Sequence, residues 1–392
     1  MGEAAHIIVL NGWAARAEAW DACGFERERI FSYIETLDGR AEEAVAHAPD
    51  GVILVGWSMG GSAALELAAK FPNRIRGLIL LAATARMMVD EDWEGMTPLR
   101  CKALKRALLE GEALEPNPYF IDEDVNLERG LDYLRTVDVR AALLSRAAEG
   151  VFKFPVFIFQ GERDAVTRPS NVEFLQTIFP RAKVTRLEEC THALPVEIPG
   201  AIDEAVRDVV KANIRCELRA RRKAVAEEER REQARKICRG LLERGDIQEA
   251  ISKRQPIAVY FASRWEIDLG EFILAVLEKG GRIVAPRWTG KDYDLAEVEA
   301  VDEGHLVAGP MGIVEPRGNL PRVESSEVGV WLVPGLAFTR DGRRLGYGGG
   351  WYDRLLAGVS AGVPKIGIAY DFQVVEDLPH AAHDILLTEV VS

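Results

Sequence analysis

Strand-like and helical patterns alternate along the first half of the chain. Short strand-like runs, most of them apolar throughout, occur at residues 7–10, 51–55, 78–82, 155–159 and 183–186. A helical pattern covers residues 60–71 and ends at Pro72, and a further helix is predicted after Pro199. Residues 86–135 are polar and mostly helical in pattern. The alternation predicts a parallel sheet with covered faces, into which residues 86–135 are inserted as a helical cap.

A new α/β pattern begins at residue 257. It comprises strand-like runs at residues 258–261, 282–285, 328–333 and 365–369, with a helical pattern at 269–279. Residues 211–235 are basic and polar and contain neither Gly nor Pro, so the junction between the halves is predicted to be helical, near residues 205–213. We therefore expect an α/β protein of two domains, residues 1–210 and residues 211–392.

The composition narrows the classes of protein to which this chain can belong. The chain has 392 residues, of which 48% are hydrophobic and 28% charged, as in a globular protein. Its net charge of −13 argues against nucleic acid as a main partner. The five cysteines form no C-x-x-C pair, which favours reduced thiols in a cytoplasmic protein. The start of the chain lacks a basic signal segment and the apolar runs are strand-length, so we expect no membrane association.

A nucleophile-elbow pattern follows the second predicted strand. Residues 56–60 read Gly-Trp-Ser-Met-Gly, which fits G-x-S-x-G between a strand and a helix and makes Ser58 a candidate nucleophile. Asp164 and His192 follow later predicted strands, in the order in which the acid and the base follow the serine of a nucleophile elbow. An aspartate capping a turn and a surface histidine are the alternatives for these two residues. Their order and context favour a Ser58–His192–Asp164 triad.

Serine hydrolysis also needs two N–H donors that stabilise the oxyanion. We expect one from Met59, directly after the nucleophile, and the other from Trp13, in the loop after the first strand. The indoles of Trp13 and Trp57 are equally well explained as walls of an acyl pocket or as core aromatics.

These motifs resemble those of α/β-hydrolases over about residues 6–205. Residues 130–140, Gly-Leu-Asp-Tyr-Leu-Arg-Thr-Val-Asp-Val-Arg, more narrowly resemble the segment after the lid in pimeloyl-[acyl-carrier protein] methyl ester esterases of biotin synthesis. Asn11 stands where that family commonly has His. The resemblance implies a serine hydrolase that cleaves an acyl methyl ester, with acyl-carrier protein as a possible partner.

A glycine-rich run near the C-terminus is suited to an anion. Four glycines, Gly346, Gly348, Gly349 and Gly350, fall within five positions, and converging backbone N–H groups of such a loop can cradle phosphate. Arginine side chains that could add guanidinium groups are Arg343, Arg344 and Arg354. Asp353 could hold Mg²⁺. A glycine-rich hairpin is the alternative.

The basic segment before it supports phosphate binding. Lys211, Arg215, Leu218 and Arg222 share one face of a helix. For Arg230, Arg231 and Arg235 a solvated face remains the better interpretation.

Residues 211–392 resemble 5-formyltetrahydrofolate cyclo-ligase (methenyltetrahydrofolate synthetase). The family signature P-G-x-A-F-x-x-x-G-x-R-L-G-x-G-G-G-x-Y-D-R is matched by residues 334–354, with Trp351 where Tyr is more common. Further matches to the family are residues 211–215, 266–268, 312–316, Gln373, 378–379 and 383–384. The implied fold is an α/β cyclo-ligase domain of the NagB/RpiA/CoA-transferase-like type.

The resemblance implies a reaction and its site residues. The formyl oxygen of 5-formyltetrahydrofolate would attack the γ-phosphate of MgATP, and N10 would close the ring to give 5,10-methenyltetrahydrofolate, ADP and phosphate. The implied ATP-binding residues are Lys211, Arg215, Arg344, Gly346, Tyr347, Gly348, Gly349, Gly350 and Trp351. The implied folate ligands are Glu266 and Tyr352, and the implied Mg²⁺ ligands are Asp353 and Asp384. Trp288 and Trp331 are expected in the core.

The sequence as a whole predicts a bifunctional cytoplasmic enzyme, an α/β-hydrolase fused to a cyclo-ligase. Two alternatives stay open. One half could be a non-catalytic module that binds an ester or a folate, or the hydrolase could be a general carboxylesterase.

Overall fold

The computed structural model of the chain describes residues 6–101, 103, 127–263, 265–310, 312–380 and 384–392. The chain divides into two compact units after Val210. Within the described ranges, no helix is both long and apolar enough to cross a membrane.

The N-terminal unit is built on a parallel sheet. Its strands are β1 Ile7–Leu10, β2 Ile30–Phe31, β3 Val52–Trp57, β4 Ile75–Leu81, β5 Val156–Gly161 and β6 Lys183–Leu187. Its helices are α1 Tyr33–Leu37, α2 Arg40–His47, α3 Met59–Lys70, α4 Leu127–Thr136, α5 Arg140–Ala148, α6 Pro169–Ile178 and α7 Leu194–Glu197, and helix α8 Pro199–Ala224 contains the boundary between the units. The strand order is β2-β1-β3-β4-β5-β6, and neighbouring strands are parallel.

Burial explains why the central strands are apolar on both faces. All six residues of β3 and all six of β5 are buried, with core clusters on each side of the sheet. The carboxyl ends of parallel strands lie along one edge, so the loops after β3, β5 and β6 meet there. This edge therefore receives the residues after all three strands.

Much of the predicted cap lies outside the described residues, namely residue 102 and residues 104–126. Helix α4 covers its last part and buries Leu127, Leu131 and Leu134.

The C-terminal unit is built on a mixed sheet. Its strands are β7 Pro256–Ala258, β8 Arg282–Trp288, β9 Tyr293–Val298, β10 Leu306–Ala308, β11 Val314–Pro316, β12 Arg322–Val323, β13 Val330–Val333, β14 Ala337–Phe338, β15 Arg344–Leu345, β16 Lys365–Ile368 and β17 Glu389–Val391. Its further helices are α9 Glu227–Glu243, α10 Gly245–Ser252, α11 Gly270–Glu278 and α12 Trp351–Leu356. The order is β12-β9-β8-β7-β13-β16-β17, parallel from β8 to β17 and antiparallel at β8-β9-β12.

Strand β7 begins and ends earlier than the pattern predicted. Residues 258–261 were expected to form a strand, but β7 ends at Ala258. Val259 and Tyr260 beyond it are still buried and belong to a core cluster that also contains residues of α9. The Val259 N–H donates to Val284 O of β8 at 2.9 Å, so the buried apolar run continues past the assigned end of the strand.

Candidate active sites

Ser58 lies on a strained turn between β3 and α3. Its φ of 55° is in the left-handed region, which is unfavourable for a residue with a side chain. The turn is crowded, because a Cβ added to Gly60 would lie 2.1 Å from the carbonyl oxygen of Leu10. The glycine two residues after the nucleophile thus lets β1 and α3 approach each other closely.

The structure brings the three candidate triad residues into one hydrogen-bonded chain. His192 Nε2 lies 2.8 Å from Ser58 Oγ, and His192 Nδ1 lies 2.8 Å from Asp164 Oδ2. The Asp164 side chain is fully buried, whereas that of His192 is 19% exposed. The indole of Trp57 donates to the carbonyl oxygen of His192 at 2.7 Å, which fixes the histidine loop. This geometry is that of a nucleophile, a base and an orienting acid.

Asp164 is held by more groups than the sequence indicated. Its Oδ2 accepts from Thr167 Oγ1 at 2.6 Å and Gln160 Nε2 at 3.1 Å, and its Oδ1 accepts from the N–H groups of Val166 and Thr167. Burial acts to raise the pKa of Asp164, but the hydrogen bond and charge of His192 and these donors outweigh it, so the pKa is lowered. The carboxylate therefore stays ionised beside His192.

Thr167→Val is expected to lower the kcat of ester hydrolysis by about tenfold with little change in KM, because one donor to Asp164 is lost while the size is kept. Steady-state kinetics on a p-nitrophenyl ester measures the effect. Thr177→Val is the matched control, since Thr177 is an exposed residue of α6 whose hydroxyl donates to Phe174 O within the same helix. Equal kcat values for the two variants would contradict the role given to Thr167.

The predicted oxyanion donors flank Ser58. A Cβ on Gly12 would lie 3.6 Å from Ser58 Cβ, so the loop carrying Trp13 passes next to the nucleophile. Within the described part of the chain, the backbone N–H groups of Trp13 and Met59 donate no hydrogen bond. Buried Asn11 braces this loop, because its amide donates to Ala15 O at 2.8 Å and its oxygen accepts from Gly12 N–H. A role for Asn11 was not predicted.

An apolar cavity of about 200 Å³ opens beside Ser58 and His192. Its described lining also includes Gly12, Trp13, Trp57, Met87, Met96, Cys101, Leu131, Leu134 and Val166. The indole of Trp13 donates to Leu127 O at 3.0 Å, and Trp57 is 1% exposed. Both tryptophans therefore line the cavity and also belong to the buried core. The cavity suits an aliphatic chain.

In the C-terminal unit, α8 presents its basic face to the glycine-rich loop. Arg215 Nε donates to Gly346 O at 2.9 Å, and a Cβ on Gly348 would lie 3.8 Å from Arg215 Cζ. Leu218, on the same face, is buried in a cluster with Ala337, Leu345 and Leu378. Packing of Leu218 therefore holds the helix against the hairpin that precedes the loop.

The loop has the backbone expected of an anion cradle. Gly348 and Gly350 have φ values of 107° and 65°, which other residues rarely adopt. The hairpin alternative is correct only for the preceding segment, where β14 pairs with β15. The Arg344 side chain is 5% exposed, and its Nε, although buried, finds no acceptor among the described residues. Such a donor fits an anionic ligand.

The two candidate Mg²⁺ ligands each lie beside a candidate phosphate ligand. Asp353 Oδ1 accepts from Arg344 at 2.9 Å, and Asp384 Oδ2 lies 3.9 Å from Lys211 Nζ. The described residues contain no group of three or more His, Cys, Asp or Glu side chains that could hold a metal. Because Mg²⁺ is commonly bound by one or two carboxylates together with substrate phosphates, this donor set fits a metal that arrives with a nucleotide.

Glu266 is linked to the loop through Tyr347. The Tyr347 hydroxyl donates to Glu266 Oε1 at 2.5 Å and accepts from Arg222 at 2.7 Å. The second carboxylate oxygen of Glu266 accepts from Ser263 N–H at 2.8 Å. The hydroxyl of Tyr347, a predicted ATP residue, thus lies with the predicted folate residue.

Aromatic side chains surround the other end of the loop. Trp351 packs against Trp288 and Tyr293, with ring centroids 5.3 Å apart in both pairs. Trp288 is half-buried, whereas Trp331 is fully buried in the core. The Arg344 guanidinium lies over the ring of Tyr352, 5.5 Å from its centroid. Burial and the charge of Glu266 raise the pKa of Tyr352, so its hydroxyl stays protonated.

A cavity of about 530 Å³ adjoins Glu266. It lies between α9 and the segment before α11 and is lined by Glu227, Arg230, Arg231, Ala234, Arg235, Cys238, Ala262, Ser263, Glu266, Asp268 and Glu271. Arg235 pairs with Glu271 at 3.4 Å, and Arg231 pairs with Glu227. The arginines expected on a solvated face therefore also line a cleft.

Comparison with known proteins identifies both units. Residues 43–197 match the family model described as alpha/beta hydrolase fold, and residues 207–392 match that of the 5-formyltetrahydrofolate cyclo-ligase family. The N-terminal unit therefore has the α/β-hydrolase fold and the C-terminal unit matches the cyclo-ligase family model, as the motifs predicted.

Individual relatives fall into the same two groups. The pimeloyl-[acyl-carrier protein] methyl ester esterase of Salmonella newport is 25% identical over 246 residues, covering 51% of this chain and 92% of that protein. The esterase of the same name from Sodalis glossinidius is 31% identical over 150 residues, which cover 34% of this chain and 54% of that protein. The structure of Aquifex aeolicus 5,10-methenyltetrahydrofolate synthetase is 33% identical, covers 46% of this chain and 88% of that one, and has a TM-score of 0.41.

Proposed function

We propose, from the α/β-hydrolase match and the cyclo-ligase family match, that this chain is a bifunctional enzyme with one active site in each unit. The observation that carries the first activity is the Ser58–His192–Asp164 chain of hydrogen bonds. The second rests on the family match of residues 207–392 together with the loop that Arg215 and Arg344 flank.

In the N-terminal site, Ser58 Oγ attacks the ester carbonyl while His192 Nε2 takes its proton. Asp164 holds the imidazole and stabilises its charged form. The N–H groups of Trp13 and Met59 bind the oxyanion. His192 then returns the proton to the leaving alcohol, and water hydrolyses the acyl-enzyme by the same steps in reverse order.

We assign the ester as an acyl methyl ester, of which pimeloyl-[acyl-carrier protein] methyl ester is the named candidate. The relatives carrying that name and the apolar cavity beside Ser58 support the assignment. Acyl-carrier protein would then be a partner of this unit.

A panel of substrates tests this specificity. The kcat/KM for a pimeloyl methyl ester on acyl-carrier protein is expected to exceed that for free short-chain methyl and p-nitrophenyl esters by about 10²-fold, because carrier and chain add binding energy. Equal or higher kcat/KM values for the short esters would make the N-terminal unit a general carboxylesterase and remove acyl-carrier protein as its partner.

In the C-terminal site, 5-formyltetrahydrofolate and ATP are the proposed substrates. Lys211, Arg215, Arg344 and the backbone of the loop at residues 346–350, with Tyr347 and Trp351, position the nucleotide. Asp353 and Asp384 would hold Mg²⁺, which neutralises phosphate charge when bound. Catalysis then consists mainly of placing the formyl oxygen in line with the γ-phosphate.

Glu266 and Tyr352 contact the folate in this proposal. The carboxylate of Glu266 accepts from N–H donors of the pterin ring, and the cavity of about 530 Å³ next to it has room for the rest of the molecule.

Release of ADP tests the proposed cyclo-ligase reaction. Because ATP is consumed in activating the folate, the purified chain should release ADP only when both 5-formyltetrahydrofolate and MgATP are present. ADP release without folate would assign this unit to a different ATP-dependent reaction.

Both proposed activities suit a cytoplasmic protein. All five cysteines are free in the structure, which agrees with a reducing compartment.

A further inference from the structure

Arg222 is a buried charge for which neither proposed reaction gives a role. Arg222 is 3% exposed and lies on α8, two helical turns beyond Arg215, which places it about 10 Å further along the same face. A guanidinium at this depth is stable only if its N–H groups are paired. Its partners therefore indicate why it is there.

Those partners come from three separate segments of the C-terminal unit. Arg222 Nε donates to Trp265 O at 3.1 Å, next to Glu266 in the chain. Its Nη1 donates to the Tyr347 hydroxyl at 2.7 Å and, more weakly, to Gly335 O at 3.5 Å. Its Nη2 lies 3.8 Å from Glu266 Oε1. One side chain thus joins the folate segment to the glycine-rich loop.

The direction of each hydrogen bond is fixed by chemistry. A guanidinium only donates, so the Tyr347 oxygen must accept from Arg222 and its proton must point to Glu266. Although Tyr347 as a whole is 46% exposed, desolvation of its hydroxyl and the charge of Glu266 raise its pKa to about 12, so the hydroxyl keeps that proton at neutral pH. With the Ser263 N–H on Oε2 and the Tyr347 hydroxyl on Oε1, each oxygen of Glu266 is held by one donor, and Glu266 lines the cavity of about 530 Å³.

We infer that Arg222, acting through Tyr347, is a positioning residue that orients the Glu266 carboxylate for folate. The inference rests on the proposed cyclo-ligase function, because it assigns Glu266 to the folate. Arg222 itself contacts neither substrate. Lysine cannot replace it, since a single ammonium group cannot reach Trp265 O, the Tyr347 hydroxyl and Glu266 together.

Arg222→Lys and Tyr347→Phe test this role. For both variants the Kd for 5-formyltetrahydrofolate is expected to rise by about tenfold or more, because hydrogen bonds to charged groups are lost. For Arg222→Lys, the Kd for a non-hydrolysable ATP analogue, measured without folate, is expected to change by less than about threefold. Tyr347→Phe is judged on folate affinity alone, because Tyr347 is itself a proposed nucleotide residue. A merely structural role would weaken both ligands together.

Arg221→Ala is the matched control. Arg221 is the neighbouring residue on α8, with a half-exposed side chain that lies over the ring of Phe372. The folate affinity of the Arg221→Ala variant is expected to match that of the unaltered chain. A folded Arg222→Lys variant with unchanged folate affinity, or with equal losses for folate and nucleotide, would overturn the inference.

A ligand-free crystal structure of Arg222→Lys separates this inference from the proposed function. Displacement of the Glu266 carboxylate and loss of its bond to Tyr347 support the positioning role even if the unaltered chain binds no folate. In that case the folate assignment fails, and only the description of Arg222 as the group that orients Glu266 stands. An unmoved carboxylate would overturn the inference whatever the ligand.

Discussion

Ser58→Ala is expected to abolish ester hydrolysis while the chain stays folded and keeps the ATP-dependent activity proposed for its C-terminal unit. Loss of the nucleophile in a hydrogen-bonded triad lowers kcat by about 10⁴-fold or more, and the remaining triad members cannot compensate. The substitution removes one oxygen from a side chain that is 8% exposed and leaves the turn at φ 55° in place. The thermal midpoint should therefore move by only a few degrees.

Ser62→Ala is the matched control for Ser58→Ala. Ser62 lies one turn further along α3, fully buried, and donates to Thr84 O at 2.8 Å. Its loss is expected to reduce stability by about 1 kcal/mol without a comparable loss of hydrolysis. Hydrolysis retained by Ser58→Ala, or lost equally in Ser62→Ala, would show that the triad is wrongly assigned.

Arg344→Ala is expected to lower the rate of ATP-dependent cyclisation by about 10³-fold, the scale of an arginine that stabilises phosphoryl transfer. The buried guanidinium has one N–H that finds no acceptor among the described residues, and it holds Asp353, so its removal disturbs both the phosphate donors and a candidate Mg²⁺ ligand. Arg344→Lys keeps the charge but not the planar fork, and an intermediate rate is expected for it. Formation of methenyltetrahydrofolate, followed by its absorbance, measures the effect.

Arg343→Ala is the control for Arg344→Ala. Arg343 is adjacent in sequence but pairs with Asp341 and Asp377, and its side chain is 34% exposed. Exposed ion pairs contribute little to stability, so the cyclisation rate of Arg343→Ala should stay within about threefold of that of the unaltered chain. A rate for Arg344→Ala as high as that for Arg343→Ala would mean that the phosphate site lies elsewhere. Ester hydrolysis should be unaffected by either change.

The residues of the hydrolase site could be predicted from their positions relative to the strands. Ser58, Asp164 and His192 each lie in the segment that follows a strand of one parallel sheet, and the carboxyl ends of such strands share an edge. Their meeting could be expected without knowledge of any side-chain contact. The glycine-rich loop was similarly predictable, because closely spaced glycines permit positive-φ backbone conformations that other residues rarely adopt, as at Gly348 and Gly350.

The groups that orient these residues were not predictable. Gln160 reads as one more residue of a buried strand, yet it donates to Asp164. Arg222 reads as part of a basic helix face, and its bond to Tyr347 joins residues 125 positions apart. No local period or motif encodes a contact at that separation, since it depends on how helix and sheet pack.

Short strands were missed for a related reason. Strands β10, β11 and β12 have two or three residues each and are partly exposed, so they have neither the length nor the uniform apolarity of β3. Their pairing with neighbouring strands, not their own composition, defines them.

The most direct test of the bifunctional account is the absorbance of methenyltetrahydrofolate when purified Ser58→Ala protein is mixed with 5-formyltetrahydrofolate and MgATP. This variant excludes the hydrolase as a source of the signal. The account predicts a rise that requires both ATP and Mg²⁺ and that Arg344→Ala lacks. No rise from folded protein that still binds folate would contradict it, and would make the C-terminal unit a folate-binding module attached to an esterase.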